Sequence, residues 1–278
     1  MTYNDLLKKG KSLINKYSLE PSVAHLFLLK YSGLSHSNII LHLNETVDQS
    51  VIDKFLWAID EYTLKKRPPQ YIMNEQDFFG RTFYVNEDVF IPRWETEELV
   101  EHVLAYIDNN FEGKMIDIID IGTGSGCIPI TLALETHNAN IYAIDISEKA
   151  LNIAQKNSDK LAANVTFIHS DLFKQVNGKF DIIVSNPPYI EDDGFIGVTV
   201  DKEPAVALYG GTKGLDFYER IFKEAHLYVK DQFLIALEHG YDQKDAIKAL
   251  ALKYFKDVTI THIKDSSDHD RITFIERT

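Results

Sequence analysis

Regular alternation between short apolar runs and amphipathic stretches, from about residue 95 to the C-terminus, is the feature that most constrains the fold. The apolar runs separate helical stretches at about 95–110, 126–136, 147–160, 214–229 and 241–255. This pattern favours an α/β fold in which a mainly parallel sheet carries helices on both faces. The last two runs are joined by only about eight residues, too few for a parallel crossover, so one strand is expected to be antiparallel. The seven predicted strands are Ile116–Ile121, Ile141–Ile144, Val165–His169, Asp181–Ser185, Phe233–Leu237, Val258–Ile263 and Ile272–Ile275.

Two smaller segments precede this region. From residue 3 to about 66, apolar residues recur at three- and four-residue spacings, which predicts a small helical domain that ends before Pro68-Pro69. Short β-favouring runs follow, Tyr71-Ile72 and then Phe78–Val85, and they predict a β-hairpin. The predicted organisation is a helical domain at 1–69, a hairpin linker at 70–92 and an α/β domain at 93–278.

Composition and charge argue against several classes of protein. Lys and Arg number 29 against 42 Asp and Glu, and the resulting net charge of −13 disfavours binding to nucleic acid. The single cysteine, Cys127, cannot form an intramolecular disulfide or a thiolate-rich zinc site. The ten histidines show no metal-ligand spacing, so no metal is expected. With no signal-peptide core and no apolar run of about 18 residues, a cytoplasmic location is expected.

A glycine loop, DIGTGSG, follows the first strand of the α/β region. Gly122, Gly124 and Gly126 allow a tight turn and close backbone approach to a ligand. The next strand ends in Asp145, whose carboxylate can accept hydrogen bonds from both hydroxyls of an adenosine ribose. The spacing is G-x-G-x-G rather than G-x-G-x-x-G, and Asp120 would repel a pyrophosphate. A ligand with a cationic sulfonium and an ammonium group, such as S-adenosylmethionine (SAM), fits better.

Asp171 and Leu172 follow the third strand. Asp171 can accept a hydrogen bond from the adenine amine, and Leu172 can cover a face of the ring. A second reading of equal weight makes Asp171 the N-cap of a helix.

The fourth strand ends in Asn186-Pro187-Pro188-Tyr189, at the sheet edge where ligands bind in α/β folds. The prolines fix the directions of the Asn186 and Pro187 carbonyls, Asn186 adds a side-chain acceptor, and Tyr189 offers a flat face. These groups match a planar NH2 group. Fixed acceptors can turn its lone pair toward a methyl donor and stabilise the charge that develops on nitrogen. The competing interpretation is a rigid turn that closes the strand.

Several motifs together carry a family resemblance. DIGTGSG, Asp145 and NPPY resemble class I SAM-dependent amino-group methyltransferases. FFGRTFYVNEDVFIPRWETEELV, KEPAVALYGGTKGLDFYERI, LEHGYDQ and KDSSDHDR resemble, more narrowly, the release factor glutamine methyltransferases (the PrmC/HemK family), from about residue 68 to the C-terminus. Trp94 stands where that family usually has proline, and Ser267-Asp268 stands where a glycine is common.

This resemblance implies a Rossmann-like class I methyltransferase domain with a seven-stranded sheet. It implies methyl transfer from SAM, with S-adenosyl-L-homocysteine as product, to the amide N5 of the glutamine in the Gly-Gly-Gln motif of class 1 peptide chain release factors. The expected protein is a monomer that does not bind nucleic acid or membrane, and its N-terminal domain recognises the release factor. The residues implied to bind SAM are Gly122, Thr123, Gly124, Ser125, Gly126, Asp145, Asp171, Leu172 and Asn186. Those implied to be catalytic and to bind the substrate are Asn186, Pro187, Pro188 and Tyr189.

The sequence motifs also allow other functions. An N-methyltransferase acting on DNA adenine or rRNA guanine would also use NPPY, and a dinucleotide-dependent oxidoreductase or a non-catalytic nucleotide-binding module would also use a glycine loop. Arg93 is expected either to contact the SAM carboxylate or to bridge the domains. Glu203-Pro204 and Glu238-His239 can be read as acid–base pairs, although a structural role is preferred for both.

Overall fold

The computed structural model describes residues 1–192 and 200–278, and their contacts divide the chain into two compact units. The first unit contains Met1–Glu75 and a turn of 3-10 helix at Val200–Lys202, and the second contains the rest of the described chain. No helix within these ranges is long and apolar enough to cross a membrane.

The first unit is helical, as its apolar spacing predicts. The Thr2 and Asp5 side chains form a capping box at the start of its first helix. Leu6, Phe27 and Phe55 come together in its buried core. The helices are α1 Tyr3–Asn15, α2 Val23–Ser32, α3 His36–Leu41, α4 Gln49–Lys65 and α5 Pro69–Met73.

The structure corrects the prediction for Tyr71-Ile72, which was a β-favouring run. Both residues lie in α5 and both are buried. Pro69 takes the first helical position, where its fixed φ suits a helix and its missing N–H costs nothing. The proline pair therefore separates two helices, and Ile72 packs into the core of the first unit.

The predicted hairpin is confirmed over a shorter range. β1 (Gln76–Phe78) pairs antiparallel with β2 (Arg81–Phe83). Phe79 and Gly80 between them have φ of 51° and 71°, the left-handed conformation that a two-residue type I′ turn requires.

The second unit contains the predicted seven-stranded sheet, and all seven predicted strands are confirmed. The strand order is β5-β4-β3-β6-β7-β9-β8, in which β9 is antiparallel to both of its neighbours and the other pairs are parallel. The elements are α6 Trp94–Asn110, β3 Ile116–Ile121, α7 Cys127–Glu135, β4 Ala139–Asp145, α8 Glu148–Leu161, β5 Thr166–His169, β6 Phe180–Ser185, α9 Ala205–Leu208, α10 Asp216–Ala225, β7 Val229–Glu238, α11 Lys244–Tyr254, β8 Thr259–Lys264 and β9 Asp270–Arg277.

The two faces of this sheet bury separate cores. Along β3, Ile118 faces one core and Ile119 the other, as the alternation of side chains in a strand requires.

The chain runs outward from β3 on one side and from β6 on the other, so the strand order reverses between these two neighbours. Ligands of open α/β sheets bind at the carboxyl ends of the strands at such a reversal. The glycine loop after β3 and the NPPY segment after β6 both lie there.

Candidate functional site

The three glycines of the loop between β3 and α7 serve different purposes. All three are left-handed, with φ of 74° at Gly122, 54° at Gly124 and 81° at Gly126. A Cβ on Gly122 or Gly124 would meet nothing within 4 Å, whereas one on Gly126 would lie 2.9 Å from Ile130 Cδ1 and 3.0 Å from Ala154 Cβ. The first two glycines therefore leave open space beside the loop, and the third lets α7 pack against α8.

Asp145 lies at the carboxyl end of β4 and holds the glycine loop. Its Oδ2 accepts a hydrogen bond from the Gly124 amide (2.9 Å), and its Oδ1 accepts one from the Ser147 amide (2.8 Å). Burial raises the pKa of Asp145, and these backbone donors oppose the shift. Each carboxylate oxygen keeps a further lone pair for a ligand hydroxyl.

Asp120, near the end of β3, is a buried carboxylate without a hydrogen-bond partner among the described residues. Burial raises its pKa to about 7, and the charge of Asp145 adds to the shift. The Thr123 hydroxyl lies close enough to Asp120 to oppose this shift in pKa. It nevertheless forms no hydrogen bond with Asp120 or with any other described residue. A cationic ligand would stabilise this carboxylate, and a pyrophosphate would be repelled by it.

Asp171 and Leu172 occupy less open positions than the sequence suggests. Asp171 accepts hydrogen bonds from Lys174 (2.8 Å) and Arg220 (2.5 Å), and these partners lower its pKa. Leu172 is left-handed (φ 50°) and buried in the core. A turn rather than a helix follows, so the N-cap reading of Asp171 is wrong. Contact of either residue with adenine stays a prediction.

The NPPY segment follows β6 without a break and is held by the chain around residues 208–214. The Ile190 amide donates to the Leu208 carbonyl (3.0 Å), and the Gly210 amide donates back to the Ile190 carbonyl (2.8 Å). A Cβ on Gly210 would lie 2.4 Å from the Pro188 carbonyl oxygen. These contacts fix the backbone just after the two prolines.

Tyr189 is fixed by a second set of contacts. Gln243 Nε2 donates to the Tyr189 carbonyl (3.1 Å), and a Cβ on Gly214 would lie only 2.1 Å from the same oxygen. The tyrosine ring packs against the core that contains Tyr218 and Ile247. Gly210, Gly214 and Gln243 were not predicted as parts of the site, although the glycine spacing in YGGTKGLDFY is a signal for close backbone approach.

Asn186 is linked through one hydroxyl to a buried acid. Its Nδ2 donates to Thr96 Oγ1 (3.0 Å), and Thr96 Oγ1 donates to Glu238 Oε2 (2.7 Å). Burial raises the pKa of Glu238 to about 7. Sequence reasoning missed Thr96 entirely and left Glu238 with a preferred structural role, because 142 residues separate the two.

Arg93 and Glu203 form an ion pair inside the second unit. Arg93 also donates to the Ile91 carbonyl (2.9 Å), and the Ile91 amide donates to Glu203 (3.0 Å). Burial raises the pKa of Glu203, and Arg93 opposes the shift. These contacts agree with a structural role for Glu203 and join the start of α6 to the segment before α9.

The two departures from the family pattern fit their positions. Trp94 is the first residue of α6. Proline is common at this position but is not required there, and the helix begins at Trp94 without it. Asp268 has a φ of 64°, which accounts for the glycine that is common at this point, and aspartate tolerates that conformation better than most residues.

A cavity of about 370 Å³ opens beside Tyr189. Its lining mixes charged, polar and apolar side chains, including Lys213, Leu215, Tyr241 and Arg271. This volume lies within the range of small-molecule binding sites. The segment after the two prolines therefore borders free space as well as the core.

Replacement of Gly214 by alanine tests the close packing behind Tyr189. Gly113→Ala is a matched control, because Gly113 has a similar φ (70° against 63°) but nothing within 4 Å of its Cβ position. We expect Gly113→Ala to lower the unfolding free energy by about 1–2 kcal/mol through backbone strain alone. Gly214→Ala should cost about 1–3 kcal/mol more because the Tyr189 carbonyl must move. Equal losses in chemical denaturation would contradict this account of Gly214.

Comparison with known proteins identifies the family. Residues 96–201 match the family model described as "Methyltransferase small domain". The chain is 38% identical over 277 residues to the release factor glutamine methyltransferase of Bacillus subtilis, with 97% of this chain and 96% of the relative covered. It is 34% identical over 282 residues to the protein of the same name from Bacillus cereus, with 99% of each covered.

Solved structures agree on the fold. A methyltransferase from Pyrococcus furiosus superposes with a TM-score of 0.53 at 19% identity, covering 81% of this chain and 95% of that one. Such a likeness speaks for the Rossmann-like methyltransferase fold alone. The near-complete coverage and the identity to the bacillary relatives go further: this chain belongs to the release factor glutamine methyltransferase family.

Proposed function

We propose that this protein transfers a methyl group from SAM to the side-chain amide nitrogen, N5, of the glutamine in the Gly-Gly-Gln motif of class 1 peptide chain release factors. The observation that carries the proposal is the position of Asn186-Pro187-Pro188-Tyr189. This segment follows β6, which pairs with the strand before the glycine loop, and its backbone is fixed by contacts with Gln243 and with the glycines of residues 210–214. The names of the relatives supply the substrate.

The residues around the glycine loop fit SAM. Gly122 and Gly124 border open space, the Asp145 carboxylate keeps acceptor capacity, and Asp120 is a buried carboxyl group without a hydrogen-bond partner in the described chain. Bound SAM supplies a methyl group on a positively charged sulfur. Asp120 and Asp145 would hold the cationic and ribose parts of the cofactor. A positive ligand would stabilise the ionised form of Asp120, whereas a pyrophosphate would be repelled by it.

The NPPY segment would prepare the amide nitrogen for attack. A glutamine amide is a weak nucleophile because its lone pair is delocalised into the carbonyl. The backbone carbonyl of Pro187 and the side-chain oxygen of Asn186 would each accept one amide hydrogen, which orients the nitrogen and stabilises the positive charge as the N–CH3 bond forms. The methylated amide then loses one hydrogen as a proton, and water suffices to accept it.

The competing functions have less support. An N-methyltransferase of DNA adenine or rRNA guanine would need to attract a polyanion, yet the net charge is −13 and the relatives carry the name of a protein-modifying enzyme. An oxidoreductase or a non-catalytic dinucleotide-binding module would place a pyrophosphate near the unpaired carboxylate of Asp120.

We further propose that the helical first unit, predicted as residues 1–69, recognises the body of the release factor. Its separate apolar core supports an independent binding module. The cavity beside Tyr189 would take residues that flank the target glutamine. We also propose that the protein acts in the cytoplasm, where release factors work, as a monomer that does not bind nucleic acid directly.

Labelling of a purified release factor tests the function. The protein, incubated with methyl-labelled SAM, should label the wild-type factor and leave unlabelled a variant in which the loop glutamine is alanine. Mass spectrometry should place a single methyl group on that glutamine. Equal labelling of both factors, or label found only on added nucleic acid, would overturn the proposal.

A further inference from the structure

Two side chains outside the NPPY segment meet Asn186 and carry a further inference. Thr96 lies in the first turn of α6, and Glu238 is the last residue of β7. Both are buried, with 2% and 1% of their surfaces exposed. Neither belongs to the residues that the sequence assigns to the site, and the proposed reaction needs neither as an acid or a base.

The protons in this chain of hydrogen bonds can be assigned by elimination. An ionised Glu238 carboxylate can only accept, so the Thr96 hydroxyl must give its one proton to Glu238. The oxygen of Thr96 can then only accept from Asn186, so the NH2 end of the Asn186 amide must face Thr96. The opposite orientation would bring the amide oxygen against a hydroxyl oxygen without a proton to share.

The consequence concerns the other end of the Asn186 amide. With Nδ2 held by Thr96, the Oδ1 atom points away from this pair and is available as an acceptor. An acceptor at this position is what a substrate NH2 group requires. The orientation of Asn186, and not only its presence, is therefore set by Thr96 and Glu238.

We propose that Thr96 and Glu238 are positioning residues, which fix the Asn186 amide with its oxygen toward the substrate amide and do so only while Glu238 is ionised. This inference rests on the proposed function in one respect, namely that the substrate presents an NH2 group to Asn186. Protonated Glu238 can donate to Thr96, which frees the Thr96 proton for the Asn186 oxygen and permits the unproductive orientation.

The surroundings of Glu238 make this a switch near neutral pH. Burial, with a smaller contribution from the charge of Glu95 in α6, raises the pKa of Glu238 to about 7. The hydrogen bond from Thr96, the charge of Arg271 in β9 and the Asn186 side chain oppose this shift. The other ionisable groups that face it are neutral at this pH: Tyr189, Tyr218 and Cys127, whose pKa values all lie above their ordinary range because of burial. The Tyr218 hydroxyl is committed to the Glu238 backbone carbonyl (2.8 Å).

A pair of variants at Thr96 separates positioning from packing. Thr96→Ser keeps the hydroxyl, whereas Thr96→Val keeps the shape and removes it. With release factor and SAM both saturating, kcat should fall at least tenfold in Thr96→Val and stay within threefold of wild type in Thr96→Ser. The dissociation constant of SAM, measured by calorimetry, should change less than threefold in both. A Thr96→Val enzyme with wild-type kcat would overturn the proposal.

Glu238→Gln tests the ionisation. The wild-type kcat should fall to a lower plateau as pH drops through an apparent pKa near 7. The variant should lack this inflection and have a lower kcat than wild type at pH 8, because its neutral amide can either accept from Thr96 or donate to it and so permits both orientations of Asn186. The unfolding free energy gives a second readout. Because the folded pKa is raised, the wild type should lose stability relative to the variant as pH rises from about 4.5 to about 7.

The outcomes distinguish this inference from the proposed function. A wild-type enzyme that leaves the loop glutamine unlabelled overturns the function, while the stability comparison still tests the ionisation of Glu238. A wild-type enzyme that labels the glutamine, together with a Glu238→Gln variant that keeps the same pH inflection in kcat, overturns the positioning role alone.

Discussion

Asn186→Ala is expected to abolish detectable methyl transfer while SAM binding is largely kept. The change removes the acceptor that we propose faces the substrate amide, and it leaves Thr96 without its donor. Loss of one preorganised group at a reacting centre typically lowers kcat by about 10²–10³-fold. Transfer of labelled methyl to the release factor gives kcat, and calorimetry gives the dissociation constant of SAM, which should change less than fivefold.

The matched control for this variant is Asn140→Ala. Asn140 lies near the start of β4, at the end of the sheet opposite the glycine loop, and its amide donates to Asp117. It should keep wild-type kcat. Near-normal transfer by Asn186→Ala would show that the NPPY segment does not hold the substrate amide, and a parallel loss in Asn140→Ala would trace the effect to folding.

Asp120→Asn is expected to stabilise the protein in the absence of SAM and to weaken SAM binding at least tenfold. The folded-state pKa of Asp120 is raised to about 7 from an ordinary value of 3.8. The neutral carboxyl is therefore tolerated at low pH, and its contribution to stability is lost as pH rises from about 4 through about 7. Asparagine removes the buried charge, so the variant should gain about 2–4 kcal/mol in unfolding free energy at pH 8.

Asp117→Asn, on the same strand, is a control for which the opposite change in unfolding free energy is expected. Asp117 accepts from Lys230 (2.6 Å) and Asn140 (2.9 Å), and these partners hold its pKa below the ordinary value. Its ionised form stabilises the fold, and this contribution is lost only as pH falls through the lowered pKa. Chemical denaturation at pH 8 should show Asp117→Asn less stable than wild type. If Asp120→Asn were also less stable, the buried Asp120 carboxylate would not be destabilising the folded protein at pH 8.

The fold was predictable from local pattern because the second unit alternates elements regularly. Each strand is an apolar run that is long enough to be recognised, and the short connection before β9 requires the antiparallel strand that the structure contains. Tyr71-Ile72 was mispredicted because two aromatic and β-branched residues favour a strand by composition, whereas Pro69 starts a helix that buries them in the first unit.

The sequence by itself determined which residues can meet at the site. The glycine loop, Asp145 and NPPY each lie at the carboxyl end of a parallel strand, and the carboxyl ends of neighbouring parallel strands share one edge of the sheet. That rule needs only the order of the elements, so these three features could be placed together without coordinates.

Only the tertiary structure decided how those residues are held and charged. It leaves Asp120 unpaired among the described residues, commits Asp171 to Lys174 and Arg220, and joins Glu238 to Asn186 through Thr96. These facts depend on burial and on contacts between residues far apart in the chain. The strand register and the docking of α6 on the sheet set such contacts, and no local pattern of residues encodes them.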